Sequence, residues 1–369
     1  ITLYYIFTFL SGVLVIVTIR HRKIHELVIA VALFAVSYSQ YRNVPLFVIY
    51  ASGLTGQMLT ELLTKMYQKK NKQVFESIQN YSRILLVCLA LAISARVITN
   101  AYYVSDKRLV RFGWGLDRHY VADGAAQFMK EKGIKGRVLN NIGVGSWLGW
   151  RLNIPVFIDG RLEVMQDSLY KEFQKSLKPG GVKSLIKQNN ADLIIFDYAA
   201  TMSWQSQLLE IPEWRIIYFD ESTAIYAHGG IADHVTSMKF EKKLLEMGLD
   251  TATAGTVLLD KWLGQPESAM KTWLAGFFVR QRFPVPLLHM ALFAESAGAL
   301  RAAEMLYLKF IRESQGRIWE VFYNLGMIYY RQSSWENALD CFERYRFYKP
   351  SDPRIIQLIF DCRKKARKN

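Results

Sequence analysis

Apolar positions fall into runs of spanning length at the start of the chain and into shorter, patterned runs after it. Residues 1–19 form one uninterrupted apolar stretch, closed by Arg20, His21, Arg22 and Lys23. A helix needs roughly 20 such residues to cross hydrocarbon. Residues 27–63 are too long for one crossing and are interrupted at Tyr41-Arg42-Asn43-Val44-Pro45. Two short crossings, 27–41 and 44–63, fit this pattern, with Pro45 opening the second where its missing N–H costs nothing. A polar, basic stretch follows at 65–83, and 84–104 reads as a fourth crossing. Residues 1–104 are therefore expected to form a transmembrane helical bundle. The chain opens on Ile inside an apolar run, so it is expected to be a piece of a longer protein, with no signal peptide at its start.

After Val104 the periodicity changes. Residues 137–141 and 155–159 read as short strands, and 191–198 has the continuous apolar character of a buried one. Helical patterns occupy 121–132 (from the Asp117-Arg118-His119 turn), 145–152, 168–177 and 182–188, and a closing hairpin joins 214–220 to 223–228 around Asp220-Glu221-Ser222. Strands alternating with helices predict a small α/β domain over 105–229 with a mainly parallel sheet. Open α/β sheets take ligands at strand ends. That rule makes Asn140, Asn141, Asp159 and Arg161 a candidate ligand cluster, with Glu163, Asp197 and Asp220 at comparable positions. Gly143, Gly145 and Gly149 have nearly the spacing of a dinucleotide-binding turn, but the third glycine comes one residue late. A tight strand-to-helix turn is the alternative. A structural ion pair is the alternative for Asp159 and Arg161.

Residues 230–369 carry a helical period with a repeat. Phe322, Leu325-Gly326, Tyr329, Ala338, Phe342 and Pro350 stand at the offsets of the tetratricopeptide (TPR) consensus, with Tyr345 in place of a small residue. Ala303 with Tyr307, and earlier Ala269, Trp273 and Gly276, echo them about one period apart, and 353–368 reads as a capping helix. The fold expected is multi-domain: a membrane bundle, the α/β domain, then an all-α TPR-like solenoid. Such stacks present a concave groove. Tyr323, Tyr330, Arg331, Arg344 and Arg346 are its candidate lining, for a protein partner; burial of the aromatics in the core is the alternative.

A net charge of +15 suggests nucleic acid at first sight. Much of the excess, however, sits in 20–23 and 65–72, which flank apolar runs and report topology, and in the tail 363–368. No nucleic-acid partner is expected. The positive-inside rule places both flanking blocks on the cytoplasmic side. Everything after Val104 then lies outside, as in a multi-pass membrane protein with extracytoplasmic domains. Arg42 and Arg96 fall at the outer level of the bundle. There they either snorkel among lipid headgroups or hold the phosphates of a lipid-linked substrate, for which guanidinium is well suited. The three cysteines, Cys88, Cys341 and Cys362, make no disulfide framework, and the six histidines have no zinc-ligand spacing. With no Walker loop and no nucleophile elbow, neither a cofactor nor a metal is expected.

The block from Arg137 to Leu152, followed by Pro155-Val-Phe-Ile-Asp-Gly-Arg161, resembles a segment that follows the last transmembrane helix in bacterial glycosyltransferases of the GT-C type. Arg42-Asn43-Val44-Pro45-Leu46-Phe47 is similar to a second segment of that family. The resemblance implies a polyprenyl-phosphate-linked sugar as substrate and a catalytic acid in the first outer loop, upstream of Ile1. Ser146 stands where the family has a second glycine. The chain itself offers no catalytic residue by motif. Its expected role is protein binding or scaffolding, with lipid-linked sugar transfer as the alternative.

Overall fold

A computed structural model describes residues 24–39, 43–67, 72–105, 111–115, 121–161, 167–235, 240–249, 259–280 and 284–367. It divides into two compact units, Ile1–Leu91 and Ala92–Asn369. The predicted first crossing, the block Arg20–Lys23 and Arg42 lie outside the described residues.

In the first unit, α1 (Ile24–Ser39) packs on α2 (Val44–Tyr67). Phe47, Ala51 and Leu54 are buried at helical spacing, Phe34 meets Phe47 edge-on at 5.6 Å, and the Tyr50 hydroxyl donates to the Glu26 carbonyl. Pro45 occupies the first turn of α2, where no amide is required. The next helix, α3 (Lys72–Ile98), continues into the second unit. Among the described residues, one helix, Glu76–Ile98, is long and apolar enough to cross a membrane. Leu85, Leu86, Leu89, Leu91 and Ile93 are all exposed, so its stretch 84–93 is apolar around its circumference.

The second unit opens with α4 (Ala101–Ser105) and α5 (Asp123–Glu131). Next come β1 (Val138–Asn140), α6 (Ile142–Leu152), α7 (Asp167–Ser176), α8 (Gly181–Asn189), β2 (Leu193–Asp197) and α9 (Met202–Leu208). The hairpin β3 (Trp214–Phe219) and β4 (Thr223–His228) is followed by α10 (Gly229–His234). The four strands form one sheet in the order β1-β2-β4-β3.

This sheet is mixed, which corrects the expectation of a mainly parallel one. β1 and β2 are parallel, β2 and β4 antiparallel, and β3 and β4 antiparallel with a bulge at Ile217. Two physical causes account for the change. The hairpin folds back so that β4 takes the place beside β2, with Asp197 opposite Thr223. The segment 155–159 does not join the ladder, because the side chain of Asn140 already satisfies it. Asn140 Oδ1 accepts from the amide of Phe157 at 2.8 Å, and Asn140 Nδ2 donates to the carbonyl of Ile158 at 2.6 Å.

Both faces of the sheet are covered. Val138, Leu193, Ile195, Ile225 and Ala227 pack with Ala125, Ala126 and Met129 of α5 and with Val144 and Leu148 of α6. Leu139, Ile194, Phe196, Ala224 and Tyr226 face the other way, toward Val182, Leu185 and Trp204. Continuous burial of β2 thus reflects two covered faces rather than a parallel sheet.

The rest of the unit is helical: α11 (Phe240–Glu246), α12 (Leu259–Leu263), α13 (Ala269–Phe278), α14 (Val285–Ser296), α15 (Leu300–Ser314), α16 (Val321–Arg331), α17 (Trp335–Tyr348) and α18 (Pro353–Ala366). Helices α14 and α15 pack as a pair, as do α16 and α17, with α18 against α17. Ala303 and Ala338 each sit fourth in the second helix of their pair, 35 residues apart, followed four residues later by buried Tyr307 and Phe342. At Gly326 an added Cβ would stand 2.5 Å from the Phe342 ring, so close approach requires glycine. The earlier echo at Ala269, Trp273 and Gly276 has a different role: Gly276 of α13 accommodates Ala101 and Arg96.

The core of the sheet runs unbroken into that of the helix pairs. Phe293 of α14 stacks on Tyr198 at 4.4 Å and lies 5.8 Å from Phe219 and 5.7 Å from Phe240. Phe293→Ala is expected to destabilise this unit by about 3–5 kcal/mol, as deletion of a fully buried ring does. Chemical unfolding of the detergent-solubilised protein, followed by near-UV circular dichroism, measures it. A loss below about 1 kcal/mol would show that the two cores do not depend on each other.

Candidate functional site

The polar residues flagged in the sequence gather on one edge of the sheet, where β1 and β2 end and the β3–β4 hairpin turns. Here Asn140 and Asn141 are buried and satisfied from within the fold. Asn140 holds 157–158 as described. Asn141 accepts from the Asp197 amide through Oδ1, while its Nδ2 reaches the Asp197 carbonyl and the Thr201 hydroxyl. Both amides therefore act as side-chain extensions of the ladder, joining strand ends that have no partner strand.

Two carboxylates share this edge. Asp197 Oδ1 accepts from the amides of Ala199 and Ala200, closing the turn into α9. Asp220 Oδ1 accepts from the amides of Ser222 and Thr223 and from the Ser222 hydroxyl, while Oδ2 accepts from Tyr218. Tyr198 donates to the Asp220 carbonyl at 2.6 Å. Burial raises both carboxyls above the usual carboxylate range, although the backbone amides oppose it.

Beside this edge lies a cleft of about 720 Å³, lined by Ser146 and Trp150 of α6, by Pro155 and Phe157, and by Asp159 and Arg161. Its floor exists because α6 rests directly on the segment 154–158. A Cβ at Gly145 would collide with the Ile158 carbonyl and lie 2.6 Å from Asn140 Nδ2. The near-dinucleotide spacing of these glycines thus reflects helix-to-segment contact, not a phosphate cradle. Asp159 and Arg161 form the predicted local ion pair, with the guanidinium bonded to Asp159 Oδ2 from Nε at 2.8 Å and from Nη2 at 2.6 Å. Arg161 draws the Asp159 carboxyl below its ordinary range. The pair leaves the mouth of the cleft polar but nearly neutral. Glu163 lies outside the described residues.

The lipid-phosphate candidates fare differently. Arg42 lies outside the described residues. Arg96, at the end of α3, donates from Nη1 to the carbonyl of Trp273 at 3.1 Å, and its guanidinium lies 5.3 Å from the Trp273 ring and 5.2 Å from Phe277.

The five groove candidates do not converge. Tyr323 packs against Phe342 and Tyr345 within the core, and Arg331 pairs with Glu295. Tyr330 meets Trp335 edge-on and accepts from Lys365, whose ammonium lies 4.5 Å from both rings. Arg346 is exposed on α17. Arg344 alone lines a second cleft, of about 600 Å³, with Trp262, Glu267, Arg312, Arg317, Phe322 and Tyr348 among its walls. Arg344 donates to the Gly264 carbonyl at 2.6 Å and reaches Asp340 at 3.5 Å. Arg312, Arg317 and Arg344 line this cleft together with Glu267, and Asp340 partners Arg344. Arg312 and Arg317 were missed because they flank the turn after α15, where the repeat pattern assigns no contact. Their spacing from Arg344, roughly one helix pair, was the available signal.

Among the described residues no cluster of histidine, cysteine and carboxylate side chains could hold a metal ion. Comparison with family models, with curated proteins and with solved structures finds no match.

Two outcomes test the edge. Gly145→Ala is expected to destabilise the fold by about 1–3 kcal/mol through overpacking. Gly149→Ala, whose Cβ would meet nothing closer than 3.9 Å, is expected to be neutral or to gain up to about 1 kcal/mol of helix propensity. Equal effects in thermal melts would refute the close approach. The second outcome concerns pH. A carboxyl raised in the native state binds more protons folded than unfolded between about 3.9 and its native value, so its contribution to stability increases as pH falls. The melting temperature of the wild type should therefore gain on that of Asp220→Asn between pH 7 and pH 4.5. A constant difference would mean that Asp220 titrates normally.

Proposed function

We propose that this chain is an integral membrane protein whose extracytoplasmic body is a scaffold, with TPR-like helix pairs that bind an extended acidic segment of a protein partner. The observation that carries the reading is the second cleft. It lies between paired helices, is walled by the aromatic faces of Trp262, Phe322 and Tyr348, and brings Arg312, Arg317 and Arg344 together. Guanidinium groups with aromatic walls suit carboxylates carried on an extended backbone. The 35-residue offset of Ala303 and Ala338, each with its aromatic four residues on, supports the TPR-like assignment. The helix Glu76–Ile98, whose stretch 84–93 is exposed and apolar on all sides, supports membrane anchoring. Relationship to GT-C glycosyltransferases remains part of the proposal through the resembling segments.

A second reading, transfer of a sugar from a polyprenyl phosphate, draws on one observation: the 720 Å³ cleft opens beside Asp159 and Arg161, within the segment that resembles those enzymes. The catalytic acid would come from chain upstream of Ile1. Loss of sugar transfer in Arg161→Ala vesicles would favour it.

The scaffold reading is tested with a fluorescein-labelled Asp/Glu-rich peptide and the full chain in lipid nanodiscs. Arg312→Glu with Arg317→Glu should weaken binding at least about tenfold, which corresponds to about 1.4 kcal/mol. Binding should also fall as ionic strength rises from about 0.05 to 0.3 M. Affinity indifferent to both changes, in a variant that melts like the wild type, would sink the reading.

A further inference from the structure

Helix α13 meets the C-terminal end of α3 through a contact built for close approach. Gly276 faces Ala101 and Arg96, and a Cβ there would stand 2.9 Å from Ala101 Cβ and 3.0 Å from Arg96 Nη1. The Thr99 hydroxyl lies 2.6 Å from the Gly276 carbonyl, one of the last carbonyls of α13, which have no partner within the helix. Arg96 donates to the Trp273 carbonyl and spreads over the rings of Trp273 and Phe277. A cation at the C-terminal end of α13 also complements the negative end of its dipole. An arginine near the end of a membrane helix requires such partners, because its charge is costly wherever water is scarce.

The opposite side of α13 is apolar and open. Met270, Leu274 and Phe278 recur every fourth residue, forming one stripe, with exposures of 74%, 46% and 85%. Trp273, at the border of the stripe, is half exposed, and Lys271 and Arg280 at its margins are exposed. An aromatic-rich stripe bordered by basic residues is the pattern of a helix lying in a membrane interface. Its position decides the occupant. The stripe is fixed beside Arg96 and Thr99, at the end of a helix whose Ile93 and Ile98 are themselves exposed.

We propose that α13 is an interfacial helix: its Met270–Leu274–Phe278 stripe enters the lipid bilayer at the level where α3 leaves it, with Lys271 and Arg280 at the phosphates. The assignment rests on the reading of α3 as a membrane span. Arg96 then serves as the joint between span and interfacial helix, holding a stretch of chain almost two hundred residues away in sequence against the membrane surface.

The test places an environment-sensitive NBD label on single cysteines in the full chain, reconstituted in phosphatidylcholine vesicles containing phosphatidylglycerol. The background is Cys88→Ala; Cys341 and Cys362 are fully buried and stay in place. Labels go at Leu274→Cys and Phe278→Cys, with Leu86→Cys as the span control and Lys183→Cys as the water control. Lipids with a doxyl group near the headgroup should quench the Leu274 and Phe278 labels at least about twofold more than lipids with a deep doxyl. Both labels should emit to the blue of the Lys183 label, and aqueous iodide should reach them poorly. The Leu86 label should respond to the deep quencher. If Leu86 behaves so while Leu274 and Phe278 match Lys183, the interfacial assignment fails and the span stands. If Leu86 itself is open to iodide, the span reading falls and takes the assignment with it. Labels at Leu274 and Phe278 protected from iodide and from both lipids would put protein, a second copy first, on the stripe and overturn the proposal.

Discussion

The stacking of Phe293 against Tyr198, flanked by Phe219 and Phe240, is the contact on which the second unit depends. The four rings come from a helix of the first pair, from the turn after β2, from the end of β3 and from α11. Each aromatic pair contributes about 0.5–1.5 kcal/mol beyond the area it buries. Their larger consequence is geometric. Tyr198 also donates to the Asp220 carbonyl, so the ring that meets the helices is bonded to the hairpin turn as well. Sheet edge and helix pairs are thereby fixed relative to each other, and the two clefts belong to one rigid framework.

A second constraint acts at the sheet edge, where the strand ends lack neighbours. Buried peptide groups must find partners. In this fold Asn140 and Asn141 bond backbone groups of neighbouring segments, while Asp197 and Asp220 bond the amides of the turns that follow them. Polar residues at strand ends are therefore ambiguous in a sequence. The same asparagines that suit a ligand also suit an unfinished ladder, and only the location of their partners separates the two. Asp159 and Arg161 differ in that they bond each other and face the cleft.

Much of the architecture was legible. Helix periods located α5, α7, α8 and the later helices, and the Asp220-Glu221-Ser222 turn located the hairpin. Strand direction was not legible, because burial on both faces gives β2 the same apolar run whether its neighbours are parallel or antiparallel. Nor was the failure of 155–159 to pair, since its hydrogen bonds go to a side chain. The role of Gly276 was hidden for a related reason. A glycine at repeat spacing and a glycine beneath an arginine from another segment satisfy the same demand for close approach.

Charge distinguishes the two clefts more sharply than size. At the sheet edge Arg161 is neutralised by Asp159 two residues away, and the rest of the wall, Ser146 included, carries no charge. Between the helices three arginines outnumber one lining carboxylate, and Arg344 is anchored by Gly264 and Asp340 with its side chain almost wholly buried. An anchored cation keeps its position when a ligand arrives and loses little entropy on binding.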